Sequence, residues 1–118
     1  RRLLYGWTML SSDPSASSPL MVFAPENEVS TAATISDLRV ITGASDRIVR
    51  LPFSSYAVAA RANTIYGFSE RCVMIYPLSA KRATAYSLPF ETSSFLGITN
   101  SRAAVLVSGD SIYLVSLP

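Results

Sequence analysis

Apolar residues in this chain occur in short runs of four to six, and Gly, Pro, Ser, Asn and Asp bound each run. They do not recur at the three- and four-residue spacing that places apolar side chains on one face of a helix. β-branched and aromatic residues fill the runs, and such side chains fit a pleated strand. The pattern predicts an all-β chain of short antiparallel strands joined by tight turns.

The predicted strands cover residues 3–10, 19–25, 29–36, 38–44, 47–53, 56–62, 64–69, 71–78, 83–89, 94–100, 103–108 and 111–117. Residues 11–19, SSDPSASSP, predict a surface loop because their Ser and Pro content offers nothing to a core. Residues 54–62 are rich in Ala and are a weaker candidate for a helix. We assign them to a strand because the repeat described below requires one at this position.

The segment GASDRIVRLP at residues 43–52 is echoed by GFSERCVMIYP at residues 67–77. A longer correspondence joins residues 51–78 to residues 88–118, and a partial copy precedes both. Each unit reads as strand, turn, strand, tight hairpin and strand, with units at approximately 29–53, 54–90 and 91–118. The runs CVMIY and IYLV, at residues 72–76 and 112–115, are apolar on both faces, which predicts strands sandwiched between neighbouring sheets.

A unit of roughly 40 residues with this strand order resembles a blade of a WD40-like β-propeller. The resemblance covers residues 29–118, and the family's Gly-His and Trp-Asp markers are absent. About three blades are present, whereas rings close with at least about four. Termini that look cut from something longer favour a fragment of a larger propeller. The alternatives are completion by other copies or another subunit, a β-sandwich or small barrel, and an α+β fold such as a polo-box-like sheet with a helix.

Composition excludes several kinds of chemistry. The chain has no His, which rules out Ser/His/Asp and Cys/His catalysis and His-based metal sites. Its single Cys72 can form neither an intramolecular disulfide nor a thiolate zinc cluster, and it lies in an apolar run where burial is expected. We therefore expect no cofactor and no metal. A lone cysteine mildly favours a reducing, intracellular compartment, either cytoplasm or nucleus.

Charge and hydropathy bound the partners. The net charge of +2 is spread along the chain without a run of either sign, so neither nucleic acid nor an anionic membrane is an expected partner. No apolar run approaches the ~18 residues of a membrane-spanning helix. Only 15% of residues are charged and 49% are hydrophobic, against a typical charged share of about 25%. Such a chain has little polar surface, which predicts buried faces or protein partners.

The predicted hairpin turns carry the charged residues that are the best candidates for a contact surface. The acids occupy equivalent turns of successive units, so we expect them on one face of the assembly. Arginine is over-represented at interface hot spots, and its alternative role here is an ion pair between neighbouring hairpins. The candidate partner-binding residues are Asp46, Arg47, Arg50, Glu70, Arg71 and Asp110.

These observations favour a non-catalytic module that binds a protein or peptide, or acts as a scaffold, within a larger protein or complex. One alternative is a fragment of a β-propeller hydrolase whose acids are divided between blades. Another is a structural subunit that completes a heteromeric β assembly or associates with its own copies.

Overall fold

The computed structural model describes residues 5–14, 19–29, 35–43, 45–80 and 82–118. These residues form three antiparallel sheets and one short helix, which confirms the predicted all-β class. Sheet 1 contains β1 (Trp7–Asp13), β2 (Leu20–Pro25), β3 (Ile35–Thr42) and β4 (Ser45–Ser55), with the helix α1 (Glu26–Val29) before β3. Sheet 2 contains β5 (Ala57–Arg61), β6 (Thr64–Phe68), β7 (Cys72–Pro77) and β8 (Thr84–Ser87), and sheet 3 contains β9 (Ser94–Ile98), β10 (Ala103–Ser108) and β11 (Ser111–Ser116).

Each sheet is a meander in which consecutive strands are hydrogen-bonded neighbours. Some of the tight turns between them require backbone angles that few residue types adopt readily. Ala62 and Asn63, between β5 and β6, have positive φ of 51° and 59°, a conformation that Asn adopts more readily than most residues. The Ala-rich segment 54–62 contains the strand β5, as predicted.

Most predicted strands differ from the structure by a few residues at their ends, and two segments differ more. β1 continues to Asp13, so residues 11–13 of the predicted loop 11–19 belong to a strand, and residues 15–18 lie outside the described residues. A separate strand at residues 29–36 is not found in the described part of the chain: Val29 ends α1, residues 30–34 lie outside the described residues, and Ile35 and Ser36 begin β3, which continues to Thr42. The polar residues 11–13, which the sequence predicts as loop, therefore extend β1. Their hydrogen bonds to sheet 2 explain this extension.

The first strands of sheets 1 and 2 lie side by side and run in the same direction. Ser11 Oγ accepts a hydrogen bond from the backbone N–H of Ala60 at 2.9 Å. Two residues further along both strands, Asp13 Oδ2 accepts one from the N–H of Ala62 at 2.7 Å. Asp13 is buried. These bonds to another sheet explain why polar residues at the end of β1 adopt strand geometry.

The first strands of sheets 2 and 3 are also parallel. Tyr56, just before β5, shares a 2.8 Å hydrogen bond with Thr92, just before β9. Arg61, at the end of β5, donates to the carbonyl oxygen of Ile98, at the end of β9, at 3.1 Å. We call the end where β1, β5 and β9 begin the proximal end, and the end where they finish the distal end.

Apolar side chains between facing sheets form two clusters. The first lies between sheets 1 and 2 and includes Leu20, Val22, Leu38, Val40, Val58, Ile65 and Met74. The second lies between sheets 2 and 3 and includes Ala59, Tyr66, Phe68, Val73, Ile75, Ala104 and Leu106. Because strand side chains alternate between faces, successive residues of β6 enter different clusters. Sheet 2 is thus covered on both faces.

The two strands predicted to be sandwiched have different environments. In β7, the four residues Val73–Tyr76 are all buried, as the apolar run predicts. In β11, the run IYLV is almost entirely exposed, so the prediction that it is buried on both faces is wrong. The reason is the position of the sheet: sheet 2 has a neighbour on each side, whereas among the described residues sheet 3 packs only against sheet 2.

Candidate interaction surfaces

The structure divides the predicted contact residues between the two ends of the sheet stack. Glu70 lies in the β6–β7 turn and Asp110 in the β10–β11 turn, so both are at the proximal end. Asp46 belongs to the β3–β4 hairpin, which lies at the distal end. The prediction that these three acids share one face is therefore wrong, because successive turns of an antiparallel meander alternate between its ends. Arg71 lies beside Glu70 at the proximal end, and Arg47 lies beside Asp46 at the distal end.

Two acids and two arginines of sheet 1 pair across the β3–β4 ladder. Arg39 donates two hydrogen bonds to Asp46, at 2.9 and 2.8 Å. This bonding raises the pKa of the Arg39 guanidinium, and the negative charge of Asp46 adds to the rise while burial opposes it. Arg50 pairs with Asp37, its ladder partner, at 3.1 Å. Both of these pairs lie within one hairpin. Arg71 of the β6–β7 turn pairs instead with Glu91 of the segment before β9, at 3.8 Å, so this pair joins sheets 2 and 3, as the alternative interpretation expected.

An open cleft of about 830 Å³ lies at the proximal end, beside the β6–β7 turn. Its walls include Tyr56, whose pKa is raised by burial and partly lowered by its hydrogen bond to Thr92. The pKa of Glu70 is raised chiefly by a hydrogen bond to Glu91 and further by repulsion between the two carboxylates, while Arg71 opposes the rise. The cleft thus presents two acids already in contact with each other.

The paired acids of the proximal cleft bear on the hydrolase alternative. Paired carboxylates that hydrolyse glycosides lie roughly 5–9.5 Å apart, with space for substrate or water between them, whereas Glu70 interacts with Glu91, which raises the pKa of Glu70, and Glu91 also pairs with Arg71 at 3.8 Å. This geometry lends the hydrolase alternative no support.

A smaller cleft of about 240 Å³, which we call the arginine cleft, lies between β4 and sheet 2. Three arginines line it: Arg47 and Arg50 from β4, and Arg82 from the segment before β8. Its apolar side includes Met74 and Tyr76. Arg82 was not predicted, because it is distant in sequence from the β4 arginines and only the stacking of sheets 1 and 2 brings them together.

The outer face of sheet 3, which we call the sheet-3 face, is apolar and open. In the β10–β11 ladder Val105 is opposite Leu114 and Val107 is opposite Ile112. The neighbouring positions, Leu106 and Ala104, point the other way and are buried against sheet 2. Because strand side chains alternate between faces, the two opposed pairs, Val105 with Leu114 and Val107 with Ile112, lie on the side away from sheet 2. Leu96 of β9 is also exposed, at the β-bulge where the ladder passes from Phe95 to Gly97.

The exposure of the sheet-3 face is unusual for side chains of this kind. Leu96, Ile112 and Leu114 are 60%, 65% and 68% exposed. Contiguous exposed apolar patches on proteins commonly mark interaction sites. The sequence carried a signal for this surface, because the run IYLV is apolar at every position, but the run alone indicated a buried strand.

Neither the arrangement of possible metal ligands nor comparison with known proteins assigns a function to the described residues. Among the described residues, no group of three or more His, Cys, Asp or Glu side chains is placed to hold a metal ion. The one helix in that part of the chain, α1, has neither the length nor the apolar character for a membrane crossing. No family model, curated protein or solved structure matches the chain. The fold itself defines an all-β protein of stacked antiparallel sheets.

Proposed function

We propose that this chain is a non-catalytic protein-interaction or scaffold module, and that the sheet-3 face is its principal docking surface. The observation that carries the proposal is the exposed apolar set on β9, β10 and β11. No residue of this face contributes a charged side chain. Burial of these apolar side chains against another protein removes them from water, and exposed apolar patches commonly mark such interaction sites.

The stacking of the sheets indicates the kind of surface that would cover this face. Sheets 1 and 2, and then sheets 2 and 3, pack apolar face against apolar face with their first strands parallel. Consecutive antiparallel meanders stacked in this way are also what a WD40-like propeller would contain. The proposed occupant is therefore a further antiparallel sheet, supplied by a second copy of the chain or by a partner in a larger β assembly.

The possible gain in free energy is sufficient for association. Burying a Leu or Ile side chain completely contributes about 1.5–3 kcal/mol. Leu96, Ile112 and Leu114 are each about two-thirds exposed, so covering all three contributes roughly 3–6 kcal/mol before the entropic cost of association is subtracted. The lone Cys72, which is partly buried in β7, supports an intracellular location as part of the same proposal.

Sedimentation of the isolated chain tests the proposal. We expect the mass to rise with concentration above that of a 12.7 kDa monomer, and the double variant Ile112→Lys, Leu114→Lys to remain monomeric. Tyr86→Lys is the matched control, because Tyr86 is 48% exposed on sheet 2, away from this face. A double variant that associates like wild type would contradict the proposal, and a wild-type chain that stays monomeric at every concentration would exclude a second copy of the chain as the occupant.

A further inference from the structure

The arginine cleft follows the free edge of a strand. β4 is the last strand of sheet 1, and no described strand pairs with its other edge. The cleft is lined by five consecutive β4 residues, from position 47 to position 51, with sheet 2 opposite. An edge strand has backbone N–H and C=O groups that point away from its sheet and can pair with another chain.

The charge of the arginine cleft is positive and only partly balanced. Arg50 pairs with Asp37 at 3.1 Å. Arg47 and Arg82 have no carboxylate partner among the described residues. Two positive charges are therefore available to a ligand.

Arg47 is held in place by two contacts with uncharged groups, so its positive charge is not neutralised. The guanidinium carbon of Arg47 lies 5.9 Å from the centre of the Tyr76 ring, in cation–π contact. Its Nη2 donates to the carbonyl oxygen of Leu78 at 3.4 Å. Both contacts orient the guanidinium, so an anion that binds it has less side-chain freedom to restrict.

We propose that the arginine cleft binds an extended acidic peptide, which adds to β4 as a further strand and places carboxylates against Arg47 and Arg82. Strand addition uses the free backbone edge for affinity and alternate side chains for specificity. Pro52 has no N–H to donate, so donation from β4 is interrupted just beyond the cleft. The inference rests on the proposed interaction role, but it uses a different surface from the sheet-3 face.

Fluorescence anisotropy with a labelled six-residue peptide of alternating valine and glutamate tests this inference. We expect saturable binding that weakens between about 50 mM and about 500 mM NaCl, since salt screens exposed charges. Arg82→Gln, at an exposed position, should weaken binding roughly tenfold, as the loss of a charge-assisted hydrogen bond does. Arg47→Gln should have a similar effect. Arg71→Gln at the proximal end is the matched control and should bind like wild type.

Two altered peptides separate strand addition from simple attraction of charge. A peptide with lysine in place of glutamate should not bind. One with methyl groups on alternate backbone nitrogens keeps the charge but cannot form the strand ladder, and it should also fail to bind. The proposal is overturned if the methylated peptide binds as well as the parent, if both Gln variants retain wild-type affinity, or if an RNA oligonucleotide binds more tightly than the peptide.

The same assay separates this inference from the proposed function. The Ile112→Lys, Leu114→Lys double variant should bind the acidic peptide with wild-type affinity, because the sheet-3 face lies on the opposite side of sheet 2 from β4. If it binds the peptide while the wild-type chain shows no self-association, the arginine cleft stands without the sheet-3 docking surface. Loss of peptide binding in this variant, with its fold intact by circular dichroism, would contradict the assignment of the peptide to β4.

Discussion

Replacing Phe95 by Ala tests the packing of sheet 3 on sheet 2. Phe95 stacks on the fully buried Phe68, with ring centroids 4.3 Å apart and planes inclined by 16°. Truncation of a buried Phe to Ala costs about 3–5 kcal/mol of stability, which includes the loss of aromatic stacking. Phe95 itself is only partly buried, so the cavity it leaves is open on one side. We expect the free energy of unfolding to fall by about 2–3 kcal/mol.

Urea unfolding followed by circular dichroism measures this loss, and Phe90→Ala is its control. Phe90 stacks on Tyr113 at the same centroid distance of 4.3 Å, but Tyr113 is 41% exposed and belongs to the open strand β11. Its truncation should therefore cost about 1 kcal/mol or less. Equal destabilisation by the two substitutions would refute the reasoning, because it would mean that burial between sheets adds nothing to the stacking itself.

Three further substitutions test local contacts. Gly67→Ala should lower the free energy of unfolding by about 1–3 kcal/mol, because the new Cβ would lie 2.9 Å from Ser55 Oγ. In a double-mutant cycle, Ser55→Ala should relieve part of this loss. Strictly additive losses would argue against a clash between the two side chains. Glu91→Gln should lower the pKa of Glu70, measured by NMR titration. The pKa of Glu70 is raised above its ordinary value of 4.5. The contribution of this interaction to stability is therefore complete below pH 4.5 and is lost as the pH rises through the raised pKa. An unchanged pKa of Glu70 in the Glu91→Gln variant would contradict this reasoning. Thr92→Val removes the hydroxyl that bonds to the tyrosine of the proximal cleft and to the Ser69 carbonyl oxygen, which should cost about 1–3 kcal/mol in urea unfolding, whereas Thr92→Ser should cost clearly less.

Most of the strand positions could be predicted because they depend on local chemistry. The run CVMIY is apolar at consecutive positions and forms β7, a strand that is buried at its centre. The end of β1 could not be predicted in the same way. Ser11 and Asp13 read as loop residues, and they form strand because hydrogen bonds to β5 satisfy their polar side chains. That partner lies 49 positions away in the chain.

The candidate surfaces were predicted less completely than the strands. Arg47 and Arg50 were identified from sequence, and both line the arginine cleft. Arg82 completes the cleft from sheet 2 and had no local signal. Asp46 and Glu70 occur in similar sequence contexts, yet they lie at opposite ends of the stack, because one follows the third strand of its sheet and the other follows the second.

The sequence alone determined that this chain forms short antiparallel strands and has neither a histidine-based active site nor a thiolate zinc cluster. Alternation and turn chemistry act between residues that are close in the chain, so a reader of the sequence can evaluate them. Only the tertiary structure decided which sheet faces are covered. Apolar runs of similar composition are buried in β7 and exposed in β11, because burial depends on whether another sheet stacks against the strand and not on the residues of the strand itself.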